Sequence, residues 1–207
     1  MRFALLGGTG RTGRLIINLA LAAGHPLKVL ARDPDRLHRT HPDLSTVRGD
    51  GSDPAVYAEL LEGAEAVLSA LGPVKGGSAT IMTRAAHHLQ LEMEARGPRR
   101  LVSLTGAGVP VPGDEPTPLD RVIRTLLRLT QPAVLADAAR HTEVIRASSL
   151  DWTVVRVPRL QDGPAKPVLA GHVGAVRPFI TRASAAQFML DAALDGTFLR
   201  EAPAISN

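Results

Sequence analysis

A glycine-rich turn near the start of the chain, Gly7-Gly8-Thr9-Gly10-Arg11-Thr12-Gly13, constrains everything that follows it. It comes directly after the apolar run Phe3-Ala4-Leu5-Leu6 and opens a stretch with helical periodicity, so it reads as strand, turn and helix. A unit of that order binds dinucleotides. Gly7 permits the tight turn out of the strand. Gly10, with no Cβ, lets a pyrophosphate approach the backbone, and Gly13 lets helix and strand pack closely. Free N–H groups at the helix start, aided by the helix dipole, favour an anion. The spacing is G-x-x-G-x-x-G rather than G-x-G-x-x-G, and no Gly-Lys-Ser/Thr closes it, which excludes a P-loop.

The pattern beyond the turn predicts an α/β chain: a Rossmann-like doubly wound parallel sheet with helices on both faces, in one domain over residues 1–207. Leu15, Ile16, Leu19 and Ala23 form the apolar stripe of a helix over 11–23 that Gly24 ends. A second strand over 27–31 runs into Arg32-Asp33-Pro34-Asp35-Arg36. At the end of the second strand an acidic residue reads a ribose 2′-hydroxyl, whereas an arginine accommodates a 2′-phosphate. Arg32 holds that position, about 20 residues past the last glycine, which points to NADP(H). Asp33 leaves NAD open.

A third strand over 45–48 is closed by Gly49-Asp50-Gly51, and Asp53-Pro54 is expected to start a helix as N-cap and N1. A fourth strand, 64–70, ends in the glycine-rich crossover Leu71-Gly72-Pro73-Val74-Lys75-Gly76-Gly77, where ligands sit in open α/β folds. A helix over 79–95 follows. Its His87, His88 and Glu92 do not predict a metal site, because adjacent histidines face different sides of a helix. The fifth strand covers 101–104, and Pro110, Pro112, Pro116 and Pro118 mark a loop after it. Helices are predicted over 118–130 and 132–147, a sixth strand over 151–158, a loop over 161–178, a helix over 182–195 and a last short strand near 204–205.

At this length a single domain buries about 70 % of its unfolded surface. No apolar run approaches the ~20 residues of a membrane span, and Met1-Arg2-Phe3 leads straight into the turn, so neither a membrane segment nor a signal peptide is expected. There are no cysteines, hence no disulfide framework and no thiolate metal site, and a cytoplasmic setting is expected. Arg121, Arg124 and Arg128 recur on one helix face, opposite Leu119, Val122, Ile123 and Leu126. They read as a solvated face. Without a helix-turn-helix signal, and with six aromatic residues in the chain, no nucleic-acid partner is expected. The helices after the fifth strand pack either on their own sheet or on a second subunit, which leaves monomer and homodimer open.

With the glycine turn, Arg32, Gly49-Asp50, Ser103 to Gly108 and Leu150-Asp151-Trp152-Thr153-Val154-Val155-Arg156 in place, the chain resembles the atypical short-chain dehydrogenase/reductases. More narrowly, it resembles the NAD(P)H-binding group that includes biliverdin reductase B (flavin reductase) and the NmrA-like proteins. The likeness runs from residue 1 to Ala202-Pro203. It implies that Gly7, Thr9, Gly10, Arg11, Thr12 and Gly13 hold the pyrophosphate and Arg32 the adenosine phosphate. Asp50 and Gly51 would border the adenine, Ala70, Leu71 and Gly72 the ribose next to nicotinamide, and Pro158 the carboxamide end.

One departure is informative. Short-chain dehydrogenases usually protonate their substrate with the Tyr of a Tyr-x-x-x-Lys pair. Counting back from Trp152 puts Val134 and Ala138 at those two positions, and the one tyrosine, Tyr57, follows the third strand instead. A simple ketone is therefore disfavoured, since its alkoxide needs an immediate proton. A flavin, quinone or linear tetrapyrrole delocalises the arriving charge. Two activities follow: an NADPH-dependent oxidoreductase reducing such a small-molecule acceptor, or, as NmrA-like proteins are, a non-catalytic NADP(H)-binding regulator. Ser103 and Thr105 are the candidates to hydrogen-bond an acceptor; the plainer alternative makes them strand-end hydroxyls bonded to backbone. Asp137 and His141, four apart, read as an i,i+4 surface pair.

Overall fold

The computed structural model describes residues 1–73 and 77–207, the side chain of Arg96 excepted. Val74, Lys75 and Gly76 of the crossover lie outside the described residues. The chain opens with β1 (Phe3–Leu6), α1 (Arg11–Ala22), β2 (Leu27–Ala31), β3 (Leu44–Arg48), α2 (Val56–Leu61) and β4 (Ala66–Ser69). It continues with α3 (Ile81–Arg96), β5 (Arg100–Gly106), α4 (Pro118–Thr130), α5 (Pro132–Ala147) and β6 (Asp151–Val157). The tail holds β7 (Arg159–Gln161), β8 (Leu169–Gly171), β9 (Phe179–Thr181), α6 (Arg182–Asp195) and β10 (Ala204–Ser206).

Eight strands form one sheet in the order β3-β2-β1-β4-β5-β6-β10-β8. The order reverses beside β1, where successive connections leave for opposite edges. That is the switch point at which open α/β sheets bind ligands. Every pairing in the sheet is parallel except β10 with β8. All four residues of β1 are buried, as a central parallel strand covered on both faces requires. On one face Phe3, Leu5, Leu68 and Val102 pack with Ile16 and Ala20 of α1 and Met189 of α6. On the other, Ala4, Leu6 and Leu101 pack with Tyr57 of α2, Leu89 of α3 and Ile145 of α5.

The expected α/β architecture is therefore the one observed, with local differences. The helix expected from Asp53-Pro54 begins at Val56, with Ala55 as its N-cap residue. The reason is local: the Asp53 carboxylate accepts the Ala55 N–H at 2.9 Å and closes a tight turn instead of capping a helix. The fifth strand extends through Thr105 and Gly106, which pair with Arg156 and Val157. The segment read as a loop over 161–178 contains β8, which joins the sheet edge by pairing antiparallel with β10. β7 and β9 form a separate two-stranded parallel ribbon.

The proline-rich loop after β5 is fastened by one ion pair. Arg156, only 1 % exposed, grips Asp114 through two guanidinium nitrogens at 2.7 and 2.8 Å and donates from Nε to the Ala202 carbonyl at 2.7 Å. Asp114 also accepts the N–H groups of Val111 and Val173. Burial pushes the Asp114 carboxyl up, but hydrogen bonds from Arg156, Val111 and Val173 outweigh it and hold the group below its ordinary range. Asp114→Ala leaves the Arg156 charge buried without its counter-ion, which costs about 3–5 kcal/mol. Urea unfolding of the variant should show a loss of that size. A loss below about 1 kcal/mol would mean that water relieves the site and that the pair contributes little.

Candidate cofactor and acceptor site

The glycine turn fits between the ends of β1 and β4 with no room to spare. Gly7 has φ +79°, and a Cβ built on it would lie 2.6 Å from the carbonyl carbon and oxygen of Ala70. A Cβ on Gly13 would overlap the Gly7 carbonyl. Gly10 is different: its φ is −76°, and a Cβ there would meet only the Gly7 oxygen, at 3.1 Å. No side chain caps α1, so its leading N–H groups remain available to an anion or to water. Thr9 and Arg11 flank this opening, Arg11 exposed, while Thr12 is buried against the turn.

Arg32 lies just past β2, half exposed, with Nε 3.8 Å from the Asp50 carboxylate. Arg14, in the first turns of α1, donates to the Arg36 carbonyl at 2.6 Å, so it reaches the same corner as Arg32 and Arg36. Asp50 is itself fixed. Its carboxylate accepts the Ser52 hydroxyl at 2.6 Å and the Ser52 N–H at 2.8 Å, and those bonds hold its pKa down. Tyr57 donates its hydroxyl to the Gly51 carbonyl at 2.6 Å. Fully buried, the phenol has its pKa raised by desolvation first and by the Asp50 charge second. The one tyrosine is thus a strut under the Asp50-Gly51 corner. Ala70, Leu71 and Gly72 lead out of β4 against Gly7, and Pro158 follows β6 at the same end of the sheet.

The sequence-based reading of Asp137 and His141 as a surface pair is overturned. They are 4 % and 3 % exposed, because this side of α5 faces α3 and the sheet rather than solvent. Asp137 caps the start of α3 from across the interface. Its carboxylate accepts the N–H of Met82 and of Thr83, each at 3.0 Å, and the Thr83 hydroxyl at 2.6 Å. Those are donors that the first turn of a helix leaves unpaired. His141 Nε2 is 2.8 Å from the Ser103 hydroxyl, and its Nδ1 is buried with no hydrogen-bond partner among the described residues. Ser103 is therefore bonded to a side chain, not to backbone. Two residues on, the Thr105 hydroxyl is buried and has no partner among the described residues.

Val134, which the count back from Trp152 puts at the tyrosine position, lines a cleft of about 150 Å³ with Pro73, Gly77, Ser78, Ala79, Met82, Ala133 and Asp137. Ala138 is buried one turn further on. His87 is exposed, and His88 lies 5.4 Å from the Tyr57 ring. Among the described residues no cluster of three or more His, Asp or Glu is placed to hold a metal ion. Nor is any helix among them long and apolar enough to cross a membrane.

A family model described as NAD(P)H-binding matches residues 7–196, from the glycine turn to the end of α6. The chain belongs to the NAD(P)H-binding family. The architecture recurs in solved structures of low sequence identity. The anaerobillin reductase ChuY from Escherichia coli O157:H7 is 18 % identical, with a TM-score of 0.83 and coverage of 100 % of this chain and 97 % of that one. The oxidoreductase ylbE from Lactococcus lactis is 16 % identical, with a TM-score of 0.81 and coverage of 100 % and 91 %. A short-chain dehydrogenase/reductase from Veillonella parvula, solved in complex with NADP, is 18 % identical, with a TM-score of 0.77 and coverage of 100 % and 94 %. Within the NAD(P)H-binding family, then, the glycine turn and the β2 terminus lie where the motifs put them.

His141 supplies a test of the buried layer beneath the site. Desolvation lowers its pKa to about 4, and the Asp137 charge offsets only part of this. The unfolded chain binds a proton near pH 6.5 where the folded chain does not, so stability is complete above that pH and declines as pH falls toward about 4. Each unit of difference is worth about 1.4 kcal/mol. Urea midpoints between pH 7 and 4.5 should fall for the wild type and fall less steeply for His141→Asn. Parallel slopes would assign the acid sensitivity to other groups.

Proposed function

We propose that this chain is an NADPH-dependent reductase that passes hydride to a conjugated acceptor of the flavin, quinone or tetrapyrrole class. What supports the reading is α5, where Val134 lines the cleft and buried Ala138 follows it, at the positions where a tyrosine and a lysine would serve a ketone. Bound NADPH supplies the hydride; the chain's own residues have only to orient the partners and accommodate the charge that arrives. The groups near the cleft are poorly suited to donate a proton. Asp137 is saturated by three donors, and His141 is neutral near pH 7 and tied to Ser103. An acceptor that spreads the charge over a conjugated system needs no such donor. Thr105 keeps a hydroxyl with no partner among the described residues, so of the two candidate hydroxyls it is the one with a hydrogen bond to offer.

The residues present fit the cofactor. Gly7, Thr9, Gly10, Arg11, Thr12 and Gly13 would hold the pyrophosphate at the uncapped start of α1, where Gly10 leaves the space that a Cβ would fill. Arg32, with Arg36 and Arg14 beside it, would bind the 2′-phosphate. Asp50 and Gly51 would border the adenine, Ala70 to Gly72 the nicotinamide ribose, and Pro158 the carboxamide.

Two measurements test this. NADPH oxidation assayed with a flavin, a benzoquinone, a linear tetrapyrrole and a set of simple ketones should show turnover with the conjugated acceptors alone. Tight NADPH binding without turnover on any of them would replace the reductase with a cofactor-sensing regulator. In cofactor titrations Arg32→Ala should weaken NADPH by roughly 10–100-fold, the worth of a charge-assisted hydrogen bond, and leave NADH nearly unchanged. Gly10→Ala should fold normally and weaken both. Equal losses for both cofactors in Arg32→Ala would remove the phosphate assignment.

A further inference from the structure

α4 is built with its apolar side outward. None of its residues is buried, and Val122 and Leu129 are 65 % and 77 % exposed, with Leu119, Leu126 and Ile123 exposed along the same strip. The helix is nevertheless well specified. Thr117 and Asp120 form a capping box at its start, and half-buried Leu127 faces the loop after β5, where a Cβ on Gly108 would come 3.1 Å from it. Leu127 holds the side away from the strip, which fixes the strip toward solvent.

The spacing fits a second helix lying along the strip. Leu119, Val122, Leu126 and Leu129 recur at intervals of three, four and three, the a and d positions of a heptad. That is the pattern by which a helix packs knobs-into-holes with another helix. The flanking e and g positions hold Ile123, Thr125 and Thr130, none of them charged. Arg121, Arg124 and Arg128 fall at c and f, far from the seam. Two copies of the strip can therefore meet across a two-fold axis without bringing like charges together. α4 has no aromatic residue to anchor it at the level of lipid headgroups, which favours a second helix over a lipid surface. Two such strips would bury on the order of 1,000 Å², the lower bound for a specific interface.

We propose that α4 is the self-association face of this protein, pairing with α4 of a second copy in an isologous helix–helix interface. The proposal is independent of the reductase reading. Sedimentation equilibrium of the full chain across the micromolar range should show a reversible dimer. Val122→Glu and Leu126→Glu, solvent-exposed in the isolated chain, should each give a folded monomer with NADPH binding unchanged. A chain that stays monomeric at the highest concentration overturns the proposal. So does a dimer indifferent to both substitutions. Vesicles containing phosphatidylglycerol provide the remaining arm: a monomer that binds them through Val122 and Leu126 would assign the face to a membrane surface instead.

Discussion

Gly7 meets the backbone of Ala70 with no room for a Cβ between them, and much of the fold depends on that approach. The left-handed turn at Gly7 drives the chain against the end of β4, and Gly13 must come in against the Gly7 carbonyl for α1 to start. Neither crossing tolerates a Cβ. In return, the helix begins at the sheet's switch point with its amide groups uncapped. Packing and ligand chemistry are thus decided by the same few atoms, with Gly10 alone spared the packing constraint.

Polar groups beneath the site act as joints between elements. Asp137 joins α5 to α3, His141 joins α5 to β5, Tyr57 joins α2 to the Asp50-Gly51 corner, and Arg156 joins β6 to the loop after β5. Each lies in surroundings that penalise an unpaired charge or donor, so each defines a geometry more sharply than apolar contact would. The arrangement is asymmetric. The face covered by α1 and α6 is closed by aliphatic packing, whereas the face covered by α3 and α5 carries most of these joints.

What was legible in the sequence follows from the range of the interactions. The turn at Gly7 to Gly13, the apolar strands and the two helices after the proline-rich loop are local patterns, and helices at Pro118–Thr130 and Pro132–Ala147 appear where periodicity put them. The position of Arg32 just past β2 was legible because its distance from the turn is a property of the fold. β8 was not, because three residues carry no periodicity and its extended state comes from β10, far along the chain. The partners of Asp137, His141 and Arg156 lie 38 to 55 residues away. Helical spacing reveals that Asp137 and His141 share a side of α5; it does not reveal that this side faces inward. Asp53-Pro54 misled for the opposite reason, a local turn using the carboxylate expected to cap a helix.

The clamp at Asp114 has a consequence for motion. Its carboxylate holds the loop after β5 to Arg156 and, through the Val173 amide, to the segment before β9; the Glu115 N–H adds a second tie to the Val173 carbonyl. Prolines at 110, 112, 116 and 118 remove further backbone freedom from the same stretch. The wall beside the end of β5 therefore stands ready-made. A molecule arriving there would meet a surface already held in place, with less ordering entropy left to lose on contact.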